Sequence, residues 1–292
     1  MANNIIFLGT AGDSYVAGKK LASSGGIIIQ TVDLQFHIDP GPGALINASE
    51  NKVNLRATTA ILVSNSNLLH SNDVNAVIDA MTYGGTDKTG VLVANKTVIK
   101  GTEEINPILT KFHSSCLEKV IAIEPGQRVG IENVEIKALP AVSKDPNALG
   151  FKFLLPDLTL VYSSDTKYTK EIVKEYKGAD ILILNVPHAG ETKSEHSLNS
   201  EDAIKIITEV NPKLAILNHF GLDMYKADIL FEGRHIQKRT GVQTIMAKDG
   251  MSLSPTAYSA KSEQKRLSTF KDQETGEIKE APVADKQKTL ED

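Results

Sequence analysis

The sequence predicts an α/β protein in which two packed sheets carry helices on their outer faces. Short apolar runs rich in β-branched residues recur along the chain, helical periodicity fills only some of the gaps between them, and the two do not alternate regularly. The runs are Ile5 to Leu8, Gly26 to Ile29, Leu34 to Ile38, Ala60 to Val63, Gly90 to Val93, Val120 to Ile123, Val134 to Leu139, Gly150 to Leu154, Thr159 to Tyr162, Ile181 to Leu184, Leu214 to Leu217 and Val242 to Ala247. Their length and their Gly, Pro, Asn and Asp boundaries favour buried strands over helices.

Two gaps read clearly as helices. From Asp73 to Met81, residues Val74, Val77, Ile78 and Met81 fall on one face; from Ser200 to Val210, Ala203, Ile204, Ile207 and Val210 do the same. Ser200 is suited to cap the second, with Glu201 and Asp202 in the first turn, where the helix dipole favours negative charge. Helical segments are sparse after Met81 and frequent from Lys167 onward, which excludes an all-β fold and a regular βαβ repeat.

Composition narrows the function classes. The chain has 292 residues, 32 Lys and Arg against 36 Asp and Glu, and a net charge of -4. That balance argues against a protein that grips nucleic acid through bulk positive charge. Cys116 is the single cysteine, so no intramolecular disulfide and no cysteine-based zinc site can close. The N-terminal MANNIIFLGTAGDS lacks a basic region ahead of a long apolar stretch, and runs such as Ile181 to Leu184 fall far short of the ~18 to 20 residues that span a bilayer. The expectation is a soluble cytoplasmic protein with no membrane partner. Residues 1–256 read as one domain and 257–292 as a charged tail, disordered unless bound to a partner. From Lys261 to Asp292, 15 of 32 residues are Asp, Glu, Lys or Arg, too few apolar groups to offset chain entropy.

Five loops that follow expected strands carry polar residues, and such residues at strand ends on one rim of a sandwich can converge on a single site. They are Thr10-Ala11-Gly12-Asp13-Ser14, Asp39-Pro40-Gly41-Pro42-Gly43, Ser64 to His70, Ser163-Ser164-Asp165-Thr166 and Asn218-His219-Phe220-Gly221. The Asp39 loop reads chiefly as a turn, since Pro fixes φ and Gly admits positive φ.

In order, FLGTAGDS at Phe7, HIDPGPGAL at His37, YSSDT at Tyr162, GADILILNV at Gly178, HSLNSEDAIKI at His196, LNHFG at Leu217 and TGVQTIMAKDGMSL at Thr240 resemble the metallo-β-lactamase superfamily. The closest branch is the tRNase Z-like metal-dependent hydrolases, and the resemblance covers about residues 1 to 254. It implies a four-layer αββα sandwich with two metal ions, usually zinc, at the rim where the sheets meet. The family's His-x-His-x-Asp-His signature falls on Asn65, Asn67, Leu69 and His70, its next His on Ser143, its bridging Asp on Asp165 and its last His on His219.

Four of those seven ligand positions are thus vacated: Asn65, Asn67, Leu69 and Ser143. The resemblance assigns the first metal to Asn65, Asn67, Ser143 and Asp165, and neutral amides or a hydroxyl are weak donors beside imidazole. The second metal falls to Leu69, His70, Asp165 and His219, of which His70, Asp165 and His219 remain a legitimate three-ligand set for one zinc or other divalent ion. The resemblance also assigns His196 as the acid that protonates a leaving oxygen, with Glu201 as its acidic support.

Each of these residues has a structural reading as well. Asn65 and Asn67 suit backbone hydrogen bonds in a strand-to-helix loop, His196 and Glu201 a loop-to-helix cap, and His70, Asp165 and His219 a polar network. Residues His37, His113, His188 and His235 have no motif company. The expected function is a degraded hydrolase, inactive or weakly active, that holds no metal or one and binds a protein or small-molecule partner, with residues 257–292 as an attachment segment. RNA enters only through the resemblance. The alternative is a single-metal hydrolase, a phosphodiesterase, nuclease or small esterase, using His70, Asp165 and His219.

Overall fold

The structure, a computed structural model, describes residues 3–258, 269–271 and 278–280. The chain divides into two compact units, Met1–Ala260 and Lys261–Asp292.

The first unit contains two seven-stranded sheets. Its strands in chain order are Asn4–Phe7 (β1), Ile27–Gln30 (β2), Gln35–Ile38 (β3), Ala60–Val63 (β4), Val91–Ala94 (β5), Lys119–Ala122 (β6), Arg128–Ile131 (β7), Val134–Pro140 (β8), Leu149–Leu154 (β9), Thr159–Tyr162 (β10), Ile181–Asn185 (β11), Leu214–Asn218 (β12), Thr244–Met246 (β13) and Ser252–Leu253 (β14). One sheet runs β14-β1-β2-β3-β4-β5-β6 and the other β13-β12-β11-β10-β9-β8-β7. Strands β3 to β6 are parallel to one another, as are β10 to β13, while the remaining pairs are antiparallel.

The α-helices are Ser14–Gly18 (α1), Ala44–Glu50 (α2), Leu68–Ser71 (α3), Val74–Thr82 (α4), Lys96–Lys100 (α5), Lys111–Cys116 (α6), Lys170–Tyr176 (α7), Ser200–Val210 (α8), Leu222–Ala227 (α9) and Ile229–Thr240 (α10). Strands β4, β11 and β12 are buried at every position, which explains their uninterrupted apolar sequence: both faces of a parallel strand are covered. Between the sheets, one apolar cluster joins Phe7, Ile29 and Phe36 to Phe151, Phe153 and Ile183, with Phe36 and Phe153 meeting edge to face at 5.7 Å. A second cluster packs α7, α8 and α10 against the outer face of the β10–β13 sheet, and a third packs α4 against the other sheet's outer face. The result is the four-layer αββα sandwich.

Each of the twelve apolar runs overlaps a strand, and Val74–Thr82 and Ser200–Val210 are helices. Strand β7 was not legible as an apolar run because it is a half-exposed sheet edge, with only Ile131 buried. The side-chain cap of α8 comes from Asn199, which accepts from Asp202 N, one residue before the expected Ser200.

Parallel strands bring their carboxyl ends to one rim. The loops after β3, β4, β10, β11 and β12 deliver Asp39, Ser64 to His70, Ser163 to Asp165, Val186 to His188 and His219. The Gly9-to-Asp13 loop after β1 is laced onto the far sheet's rim: Phe220 N donates to Thr10 O and Gly12 N to Phe220 O, both at 2.8 Å. A Cβ at Gly12 would lie 2.0 Å from the His219 carbonyl oxygen, so only glycine fits there.

In the second unit, Thr269–Lys271 and Ile278–Glu280 form a two-stranded antiparallel ladder. The rest of the charged segment, on which the expectations of disorder and partner attachment fall, lies outside the described residues. Among the described residues, no helix is long and apolar enough to cross a membrane.

Candidate active site at the sheet rim

His70 sits on α3 with 1% of its surface exposed, between two carboxylates. Its Nδ1 meets Asp39 Oδ2 at 2.8 Å and its Nε2 meets Asp165 Oδ2 at 2.9 Å. Burial alone would lower its pKa, but the charges of Asp165 and Asp39 and the hydrogen bonds to both outweigh it and raise the pKa to about 10. The imidazole is therefore a cation at neutral pH, donating from both nitrogens. Burial would raise the Asp165 pKa, yet His70, His219 and the hydrogen bonds of His70 and Asn185 hold it well below the usual carboxylate range.

Asp39 anchors this network. Its carboxylate accepts from Ser64 N at 2.7 Å, Ser64 Oγ at 2.6 Å, the Tyr162 hydroxyl at 2.7 Å and His70. Ser64 Oγ in turn meets Ser164 Oγ at 2.6 Å, joining the two sheets' loops. Asn185 Nδ2 donates to Asp165 Oδ1 and to the Tyr162 hydroxyl. Asp39, Ser164 and His219 all take positive φ, 52°, 56° and 63°, so three non-glycine residues at one rim hold a conformation that costs energy. The sequence reading placed Asp39 in a turn and gave no role to Ser64, Ser164, Tyr162 or Asn185. The available signal was an acidic residue ending a strand immediately before Pro-Gly.

His219 stacks against His70 with ring centroids 4.6 Å apart. Its Nε2 is buried and has no hydrogen-bond partner among the described residues, although Asp165 Oδ1 lies 3.5 Å away. Burial, opposed by Asp165 and aided by His70, lowers its pKa to about 4, so this ring is neutral at pH 7. One ligand atom from each of His70, Asp165 and His219 lies within 4.8 Å of the others.

The other matched positions are spent differently. Asn65 Oδ1 accepts from Asn67 N at 2.8 Å and its Nδ2 donates to Ser164 Oγ at 3.1 Å. Asn67 Oδ1 caps α3 by accepting from Leu69 N at 3.1 Å. Leu69 is buried, and half-buried Ser143 lies in a loop pinned by Asp145, which accepts from Ser66 N, Asn95 Nδ2 and Thr97 Oγ1.

All of this opens onto a cavity of about 550 Å³ lined by Asn65, Ser143, Asp165, His188, His196 and His219 among others. Glu201 does not support His196: it pairs with Arg239 at 3.3 Å and His235 at 3.7 Å on α10, and no hydrogen bond joins it to His196 among the described residues. Its place in the first turn of α8 turns the carboxylate toward α10. His188, which had no motif company in the sequence, holds Asp223 Oδ2 at 3.1 Å on the cavity wall.

Residues 35–220 match the family described as the beta-lactamase superfamily domain. The chain belongs to this family. An uncharacterized protein of Methanocaldococcus jannaschii, MJ1374, is 32% identical over 255 residues, covering 87% of this chain and 95% of the relative. Among solved structures, the metallo-beta-lactamase fold protein YhfI from Bacillus subtilis superimposes with a TM-score of 0.72 at 18% identity, over 87% of this chain and 99% of that one. The short form of human tRNase Z gives a TM-score of 0.62 at 13% identity, over 86% and 98%. These likenesses establish the β-lactamase superfamily fold; the chemistry has to be argued from this chain's own donors.

A two-metal centre does not fit those donors. The amide oxygens of Asn65 and Asn67 are engaged by backbone N–H groups. One divalent ion fits better: His70, Asp165 and His219 form a two-histidine, one-carboxylate set, and the His219 Nε2 is an orphaned buried donor atom. Bound there, a divalent ion would supply Lewis acidity and lower the pKa of a bound water. Binding at His70 requires the imidazolium to release the proton it shares with Asp165.

Proposed function

We propose that this β-lactamase superfamily protein does not carry out two-metal hydrolysis and works by binding a ligand in the rim cavity. The observation that carries this reading is the commitment of the Asn65 and Asn67 side-chain oxygens to the α3 loop, which leaves the first metal position with Asp165 as its one strong donor. The Asp39–His70–Asp165 array supports it: an imidazolium compensates two buried carboxylates that would otherwise need a cation. The test is elemental analysis of protein purified without chelator, with hydrolysis of bis(p-nitrophenyl) phosphate followed in parallel. No more than one ion per chain and no turnover are expected; two ions per chain would reject the reading.

A single-metal hydrolase is the second reading, favoured by the unpartnered His219 Nε2 beside Asp165. In that case one ion per chain accompanies turnover, and His219→Ala removes both. His70 would then serve as ligand and His196 as the proton donor to the leaving oxygen.

A further inference from the structure

The lining of the rim cavity differs between its carboxylates and its N–H donors. Each carboxylate that lines it already accepts from the protein: Asp13 from Val16 N and Leu222 N, Asp145 from Ser66 N and Asn95, Asp165 from His70 and Asn185, Asp223 from His188 and Ala189 N. The donors are not spent in the same way. Lys144 lines the cavity and makes no ion pair among the described residues. His196 lines it with its Nδ1 buried and unpartnered among the described residues.

His188 is the most constrained of these donors. Its Nδ1 is held by Asp223 at 3.1 Å, and the backbone on either side is fixed, with Ser200 N donating to His188 O and Ala189 N to Asp223. A carboxylate behind an imidazole fixes the ring's orientation, leaving Nε2 to meet whatever occupies the cavity. A wall whose carboxylates are each already paired, beside a lysine with no ion pair among the described residues, suits a ligand that brings acceptors of its own, and charge-assisted hydrogen bonds make an oxyanion the strongest such guest.

We propose that the cavity binds a small molecule bearing a carboxylate or phosphate group through Asp223-held His188, His196 and Lys144, with no metal ion taking part. This deepens the ligand-binding reading above and rests on it. Asp223 acts as a positioning residue and His188 as the contact.

The experiment titrates phenyl phosphate, benzoate and phenyltrimethylammonium into chelator-treated, dialysed full-length protein, following histidine ring 1H–15N resonances and binding heat, with metal content read on the same sample. Saturable binding of at least one anion, shifting the His188 and His196 rings, is expected; the tighter anion identifies phosphate or carboxylate as the recognised group. Asp223→Asn should weaken it roughly ten-fold, the value of one charge-assisted contact, and change the His188 tautomer signals while the melting temperature stays put. His188→Ala and Lys144→Ala should each weaken binding. No saturable anion binding, binding unchanged in all three variants, or preferential binding of the ammonium probe would overturn the proposal. Two ions per chain in the protein before chelation would sink the earlier reading, whereas failed anion binding in metal-poor protein would sink only this one.

Discussion

On the side of Asn65, Asn67 and Ser143, short neutral side chains occupy positions matched to histidines, and the two asparagines spend their oxygens on nearby backbone N–H groups. On the side of His70, Asp165 and His219, ionisable side chains remain and are compensated by one another across two sheets. The difference is between local and collective repair. A neutral residue in a loop can be exchanged at the cost of one cap, whereas a buried charge holds its partners hostage.

The largest expected effect is therefore at Asp39. Asp39→Ala leaves the Ser64 and Tyr162 hydroxyls without their acceptor and removes one of His70's two counter-charges, and should cost about 3 to 5 kcal/mol in urea denaturation. A loss below about 1 kcal/mol would erase the distinction between the two halves.

Next comes pH. His37, on the strand that ends in Asp39, is fully buried, donates from Nε2 to Gly25 O, and has its pKa lowered to about 4 by burial, against the pull of that hydrogen bond and of Asp39. The unfolded histidine takes up a proton below about pH 6.5 and the folded one only near 4, so the unfolded state binds more protons in between. Stability contributed by the neutral ring is whole above about pH 6.5 and falls as pH drops to 4, by on the order of 3 kcal/mol. Melting temperatures from pH 7 to 4 should show this limb together with that of His219, whose pKa is lowered to the same value, and His37→Asn should remove about half of it.

The smallest effects belong to the neutral half. Asn67→Ala should cost about 1 kcal/mol, the value of a helix cap, by the same urea assay. Restoring imidazoles with Asn65→His and Asn67→His together should lower stability by a similar amount without bringing the metal content to two, because Asp165, the one carboxylate left to both positions, is committed to His70 and Ser143 offers only a weak hydroxyl donor. A stoichiometry of two in that variant would show the neutral half to be less committed than its hydrogen bonds indicate.

Much of the architecture was legible because it is written locally. Runs such as Ala60 to Val63 and Ile181 to Leu184 are buried on both faces, so burial leaves an unbroken apolar word in the sequence. Edge strand β7 leaves none, and short helices such as α3 and α5 are set by an Asn cap and tertiary packing more than by periodicity. The site was only half legible. His70, Asp165 and His219 could be located through a resemblance, but Asp39 answers to Ser64, His70 and Tyr162, the last 123 positions away, and no local pattern encodes such a partnership. Glu201 illustrates the converse: its spacing from His196 fitted a motif, while the helix carried its carboxylate to Arg239 instead.

The seam between Gly12 and Phe220 bears on how the molecule comes into being. Thr10 and Phe220 are 210 positions apart, and their paired backbone hydrogen bonds set the height at which His219 stands. Bringing together ends so far apart costs loop-closure entropy that the finished seam must offset. The seating of the histidine pair thus depends on the first strand's loop as well as on the last, so a chain shortened past Gly12 should keep most of its helices and lose the finished centre.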